Sequence, residues 1–180
     1  MKTVIIIHGF SGHAGIHWQQ WLHDELTQQG HKVLMPDLPQ SEHPDRQAWL
    51  GEVRQVLEGV DTSQLVMVGH SLGVVAALDF IEQLDGRVDG LVSVAGFAED
   101  YGADMNSYFL SQKPIDFSKI KNKLNWSAVI YGDNDPYVTP AALKYVADSL
   151  GVEPVVIPNG GHLNTESGFD KFPQLLEMIK

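Results

Sequence analysis

Short runs of apolar, mostly β-branched residues alternate along this chain with longer stretches in which apolar residues recur every three or four positions. A strand covered on both faces reads as a continuous apolar run, whereas a helix resting on a sheet shows a single apolar stripe. Six runs qualify as strands: Val4–Ile7, Lys32–Met35, Leu65–Val68, Leu91–Val94, Ala128–Tyr131 and Pro154–Ile157. Helical stripes fill the intervals. Trp18, Trp21, Leu22 and Leu26 form the first, stopped by Gly30, and Trp49, Val53, Val56 and Leu57 form the second, after Asp45. A third helix spans about 72–84, and Phe172, Leu175, Leu176 and Ile179 mark the last. The helix carrying Leu143, Val146, Ala147 and Leu150 is the best punctuated, with Thr139 as N-cap, Pro140 at its first position and Gly151 past its end. Strands alternating with helices predict an α/β fold, a three-layer α/β/α sandwich around a parallel sheet. Residues 99–126 break the pattern. A short helix around Phe117, Ile120 and Leu124 is expected there, in a segment too short for a second domain and long enough to cover part of a site.

Composition narrows the function classes. The 180 residues suggest one domain, 1–180, and 43% hydrophobic with 19% charged residues is an ordinary globular balance. A formal net charge of −11 repels nucleic-acid phosphates and anionic membranes, so neither is expected as a partner. With no cysteine, disulfides, thiolate metal sites and thiol catalysis are excluded. Four apolar residues after Met1-Lys2-Thr3 are too few for a signal-peptide core, and no run approaches the roughly 20 residues of a membrane span, so a cytoplasmic location is expected.

The strongest chemical signal is Gly69-His70-Ser71-Leu72-Gly73, between an apolar strand and a helix. Gly-x-Ser-x-Gly in that setting is a nucleophile elbow, a strained turn that lifts the serine hydroxyl out of the sheet. A serine hydroxyl needs a base to take its proton. Of eight histidines His162 is best placed, in a Gly160-Gly161 loop after the sixth strand and downstream of the serine. The acid that orients it belongs between the two, at a strand end, where Asp135 and Asp133 both qualify. Asp135 is preferred because Pro136 and Pro140 stiffen its loop. The oxyanion would be held by the Leu72 amide and by one from the loop after the first strand, Phe10 first and Ser11 second. Phe10, His70, Phe97, Tyr137 and Leu163 adjoin these turns and are candidate pocket walls, while Trp18, Trp21 and Trp49 are assigned to the core.

Two other constellations fit less well. His8, His13 and His17 could suggest a metal site, but glycines interrupt them and no carboxylate has matching spacing; histidines near an active-site mouth explain the stretch better, so no metal is expected. Gly9 to Gly15 lacks the Gly-Lys-Ser/Thr ending of a phosphate loop.

His8-Gly9-Phe10, Gly69-His70-Ser71-Leu72-Gly73, Gly132-x-x-Asp135-x-x-Val138 and Gly161-His162 stand in the order and spacing of α/β-hydrolases. The short chain, Trp18-x-x-Trp21-Leu22, Ala95-Gly96-Phe97-Ala98 and Gly160-Gly161-His162-Leu163-Asn164 resemble the small YdeN-like hydrolases, a family that includes retinoblastoma-binding protein nine. The resemblance implies a Ser71–Asp135–His162 triad and a six-stranded parallel sheet of order 2-1-3-4-5-6, without the two N-terminal antiparallel strands or the large lid domain of bigger relatives. It implies acyl transfer on a small-molecule ester or related acyl substrate, with no cofactor. The alternative is a weakly active or inactive protein that keeps the fold as a protein-binding module, although nothing in the sequence indicates a protein partner.

Overall fold

A computed structural model describes residues 1–179. Six strands, β1 (Thr3–Ile7), β2 (Lys32–Leu34), β3 (Leu65–His70), β4 (Val88–Val94), β5 (Leu124–Gly132) and β6 (Val155–Ile157), form one sheet in the order β2-β1-β3-β4-β5-β6. Every neighbouring pair is parallel, with Ile5 opposite Met67, Val68 opposite Val92 and Val92 opposite Ala128. Among the described residues, seven α-helices complete the layers: α1 (Gln19–Gln28), α2 (Arg46–Val56), α3 (Gly73–Gln83), α4 (Asp104–Leu110), α5 (Phe117–Lys121), α6 (Pro140–Leu150) and α7 (Pro173–Ile179).

The period-2 alternation of strand side chains divides the interior into two cores. Ile5, Ile7, Met67, Leu91 and Val129 face one way, toward apolar residues of α2, α3, α5 and α6. Val4, Ile6, Val66, Val68, Val92 and Ile130 face the other, toward Leu22 and Leu26 of α1 and Leu175 and Ile179 of α7. Burial on both faces is why these strands read as unbroken apolar runs. Helix α3 is buried almost throughout, Asp79 and Glu82 included. The expected caps form: Thr139 accepts from the Ala142 amide at 3.3 Å, and Gly151 closes α6 with φ +77°.

Differences from the sequence reading fall mainly in and around the crossover between β4 and β5. Helix α4 has no counterpart in the apolar pattern, because its buried positions are mixed in type (Asn106, Phe109 and Leu110). Leu124, expected in a helix, begins β5 and pairs with Val88. Both β4 and β5 start well before their apolar runs, where polar residues such as Asp89 and Asn125 interrupt the pattern. Trp18 and Trp49 are fully buried, whereas Trp21 packs at the edge of the α1 side and is only partly buried. Among the described residues, no helix is long and apolar enough to cross a membrane.

In an all-parallel sheet the C-terminal ends of the strands lie along one edge. The turns after β1, β3, β5 and β6 therefore converge, which is where open α/β sheets place their ligand crevices.

Candidate active site

The turn after β3 is shaped by close approach. Ser71 adopts φ +56°, a left-handed conformation that costs a non-glycine residue on the order of 1–3 kcal/mol. Its amide is held by the Val94 carbonyl at 2.9 Å. A Cβ on Gly73 would come within 2.4 Å of both the Ile7 and His8 carbonyl oxygens, so only glycine lets α3 start against the end of β1. A Cβ on Gly9 would lie 2.8 Å from the Ser71 Cβ, so the loop after β1 passes directly over the serine. These contacts bring the Phe10 and Leu72 amides to the same turn. Among the described residues, no backbone carbonyl takes either of them, whereas the Ser11 amide donates to the Ser41 carbonyl at 2.7 Å.

The loops after β5 and β6 are stitched together by three consecutive side chains. Asp133 accepts from the Asn159 amide at 2.7 Å, Asn134 from the Gly161 amide at 2.7 Å, and Asp135 from the ring of His162 at 2.6 Å. The two aspartates are thus separated by geometry: Asp133 fastens a loop, and Asp135 meets the imidazole. The second Asp135 oxygen accepts from the Tyr137 and Val138 amides at 2.9 and 3.0 Å, and its side chain is 0% exposed. Donation to Asp135 keeps the proton on His162 Nδ1 and leaves Nε2 as the lone-pair nitrogen.

His70 lies beneath this pair. It is buried, and its Nε2–H donates to the His162 carbonyl at 3.0 Å. Its ring centre is 5.0 Å from that of His162 and 5.5 Å from that of His17. Burial, and then the neighbouring His162, push its pKa well below the ordinary histidine value, so it stays neutral. His17, with φ +60°, accepts from the Thr165 amide at 3.3 Å, and burial, followed by the proximity of His162, lowers its pKa too. His8 is committed to backbone: Nδ1–H donates to the Gly9 carbonyl and Nε2 accepts from the Leu38 amide, both at 2.9 Å. Among the described residues, no three His, Asp or Glu side chains are grouped to hold a metal ion.

A cavity of about 330 Å³ opens over the serine, and Ser71, His162, Phe10, His70 and Tyr137 all line it. Phe97 and Leu163, expected as walls, do not. Both are fully buried in the two cores, because Leu163 turns inward at φ +51° and Phe97 packs behind Tyr101 at a ring distance of 5.0 Å. The sequence reading gave His17 only as a histidine near an active-site mouth and did not name Tyr101, Met105, Asn106, Asn164 and Glu166, which line the cavity too. Asn164 lies in a motif already singled out, so nearness in sequence could have flagged it. Tyr101, Met105 and Asn106 come from the aperiodic crossover and carried no signal. Glu166 accepts from the Tyr137 hydroxyl at 3.0 Å at the rim.

The six-stranded parallel order and the turns gathered along its edge define an α/β-hydrolase. The serine hydrolase family matches residues 4–180, and the chain belongs to that family. Among solved structures, the ydeN gene product of B. subtilis is 27% identical, with a TM-score of 0.90 over 99% of this chain and 97% of that one. A protein described as a YdeN-like hydrolase from Pectobacterium atrosepticum is 21% identical, with a TM-score of 0.72 over 99% and 89% of the two chains. The thioesterase domain from the curacin biosynthetic pathway shares the fold at 17% identity, with a TM-score of 0.71 and coverage of 99% and 90%. Comparison with curated protein sequences returns no match.

Proposed function

We propose that this protein hydrolyses carboxylic esters or related acyl substrates, with Ser71 as nucleophile, His162 as general base and Asp135 as the residue that orients the base. One observation carries the reading. His162 and Ser71 line one cavity, and the far side of the His162 ring is held at 2.6 Å by a carboxylate with no solvent exposure. Asp135 fixes the tautomer and stabilises the imidazolium as it forms. His162 Nε2 takes the Ser71 proton while Oγ attacks the acyl carbon. The Phe10 and Leu72 amides take up the oxyanion, each without a backbone acceptor of its own. His162 then protonates the leaving group, and water repeats the sequence on the acyl-enzyme to release the acid. His70 adds a positional constraint by gripping the carbonyl of the same histidine.

The test is reaction of the purified protein with a fluorophosphonate and mapping of the adduct by mass spectrometry. Stoichiometric labelling at Ser71, lost in His162→Ala, is the expected result. A folded protein that is not labelled, or is labelled elsewhere, would sink the reading and bring forward a binding role for the same fold.

A further inference from the structure

Helix α4 and the residues before it form the side of the cavity that the strand-end turns do not supply, through Tyr101, Met105 and Asn106. Seven residues are too few for a helix to be stable alone. Its position has to be imposed from outside, and the structure contains a device that does so.

Arg46, the first residue of α2, is 2% exposed. Its guanidinium grips Asp79 of α3 in a forked pair, Nε to Oδ2 at 2.6 Å and Nη2 to Oδ1 at 2.9 Å. The remaining nitrogen, Nη1, donates upward to three backbone carbonyls, Phe109 at 3.2 Å, Leu110 at 3.3 Å and Lys113 at 2.7 Å. These are carbonyls at and just beyond the C-terminal end of α4, where helical partners have run out. The guanidinium carbon also lies 5.8 Å from the centre of the Phe109 ring. One turn along α3, Glu82 accepts from Lys113 Nζ at 2.9 Å and from the Asp116 amide at 3.2 Å, holding the next stretch of the same crossover.

The choice of residue is informative. A buried ion pair is replaceable by packed apolar side chains with little or no loss of stability. Leucine or methionine at 46 and 79 would therefore hold α2 on α3 equally well. An apolar pair has no donors for three carbonyls of the chain crossing above, whereas a planar fork with five donors serves a carboxylate and a carbonyl cluster at once. From this we infer that Arg46 is a positioning residue that fixes α4 as a rigid wall and thereby sets which acyl groups fit beside Ser71. The inference rests on the hydrolase reading above. It adds that acyl selectivity is decided from beneath α4, by a side chain that does not line the cavity.

The test uses the full chain and alkyl fluorophosphonates of short and long chain, with labelling of Ser71 resolved into KI and the inactivation rate constant. Arg46→Lys keeps a charge opposite Asp79 but replaces the fork with a single ammonium, which is too small to serve Asp79 and all three carbonyls. The ratio of long-chain to short-chain labelling efficiency is expected to change about tenfold, through KI, while the short-chain inactivation rate constant stays at the wild-type value. An unchanged ratio, with only the thermal midpoint lowered, would reduce Arg46 to a stabilising residue and overturn the proposal. If Arg46→Lys does not fold, the double variant Arg46→Met with Asp79→Leu removes both charges and faces the same criterion. Hydrogen exchange of the wild type supplies a second reading: amides 106–111 are expected to be protected, and exchange as fast as in the exposed loops would mean that the wall is not fixed. Failure of Ser71 to label in the wild type would strike the nucleophile assignment, and the exchange result would still decide the state of α4.

Discussion

The strand-end turns and the crossover between β4 and β5 meet at one cavity, yet they are held by different means. The turns after β3, β5 and β6 are fixed by close backbone approach at the first and by side chains that tie the other two together. Ser71 sits at φ +56° because Gly73 lets two carbonyls approach to where a Cβ would stand, and Asp133, Asn134 and Asp135 each take a donor from the facing loop. The crossover is fastened internally too, by Asp100 accepting from the Gly102 amide and the Ser107 hydroxyl and by the Tyr101 hydroxyl accepting from Asn106, but its polar attachment to the scaffold rests on charges from elsewhere, Arg46 above all and Glu82 beside it. The proposed reacting groups therefore lie on short stretches of chain with little freedom, while the proposed selectivity wall is tied to the scaffold through a few replaceable side chains. In such an arrangement chemistry stays constant while selectivity changes.

This contrast can be probed in order of effect. The largest is expected from Ser71→Ala, which should abolish labelling and lower ester turnover by about 10⁶-fold while the circular dichroism spectrum stays that of the wild type. Asp135→Asn should cost about 10⁴-fold in kcat by presenting the wrong hydrogen-bonding partner to His162. Asp133→Asn serves as its control: turnover should stay near wild type, since that side chain holds only the Asn159 amide. If the two variants behaved alike in steady-state assays, the assignment of Asp135 would be wrong. Gly73→Ala attacks the turn through backbone alone, because the added methyl would meet two carbonyl oxygens at 2.4 Å. A loss of about 3 kcal/mol is expected in urea unfolding, against about 1 kcal/mol for an equivalent change at Gly102 of the crossover, where no atom lies within 4 Å of the added Cβ and only the strain of φ +84° is felt.

The smallest effect concerns pH. His8 and His70 are buried, and desolvation depresses their folded-state pKa values below the ordinary 6.5. The unfolded chain therefore binds protons that the folded chain refuses once the pH drops below about 6.5. Stability should be flat above that point and decline below it, by up to about 1.4 kcal/mol per pH unit for each histidine. Urea titrations between neutral and mildly acidic pH would show it, and a profile that rises on acidification would contradict the neutral state assigned to both rings.

Much of the reactive half was legible in the chain. Gly69-x-Ser71-x-Gly73 announces its own geometry, because the motif exists to satisfy contacts within a few residues of itself. Asp133 and Asp135 were less separable: both follow the same strand, the neighbouring prolines gave a preference for Asp135, and the distances to Asn159 and to the His162 ring divide them. Phe97 and Leu163 show a different limit. Each adjoins a reactive turn in sequence, but a single positive φ at Leu163 and the placing of Tyr101 over Phe97 send both side chains into the cores. The two candidate oxyanion donors of the first loop follow the same rule, since Ser11 sits at φ +51° and gives its amide to the Ser41 carbonyl.

By itself, the sequence determined the alternation of strands and helices, the parallel sheet, the elbow at Ser71 and the family to which the chain belongs. Each of these depends on spacing within a short window, where hydrophobic period and backbone sterics act locally. Only the tertiary structure decided what faces the serine. The wall of Tyr101, Met105 and Asn106 is set by a guanidinium that reaches Asp79, 33 residues away, and the Lys113 carbonyl, 67 residues away. Such contacts exist only after α2, α3 and the crossover have packed, and no periodicity in the chain records them.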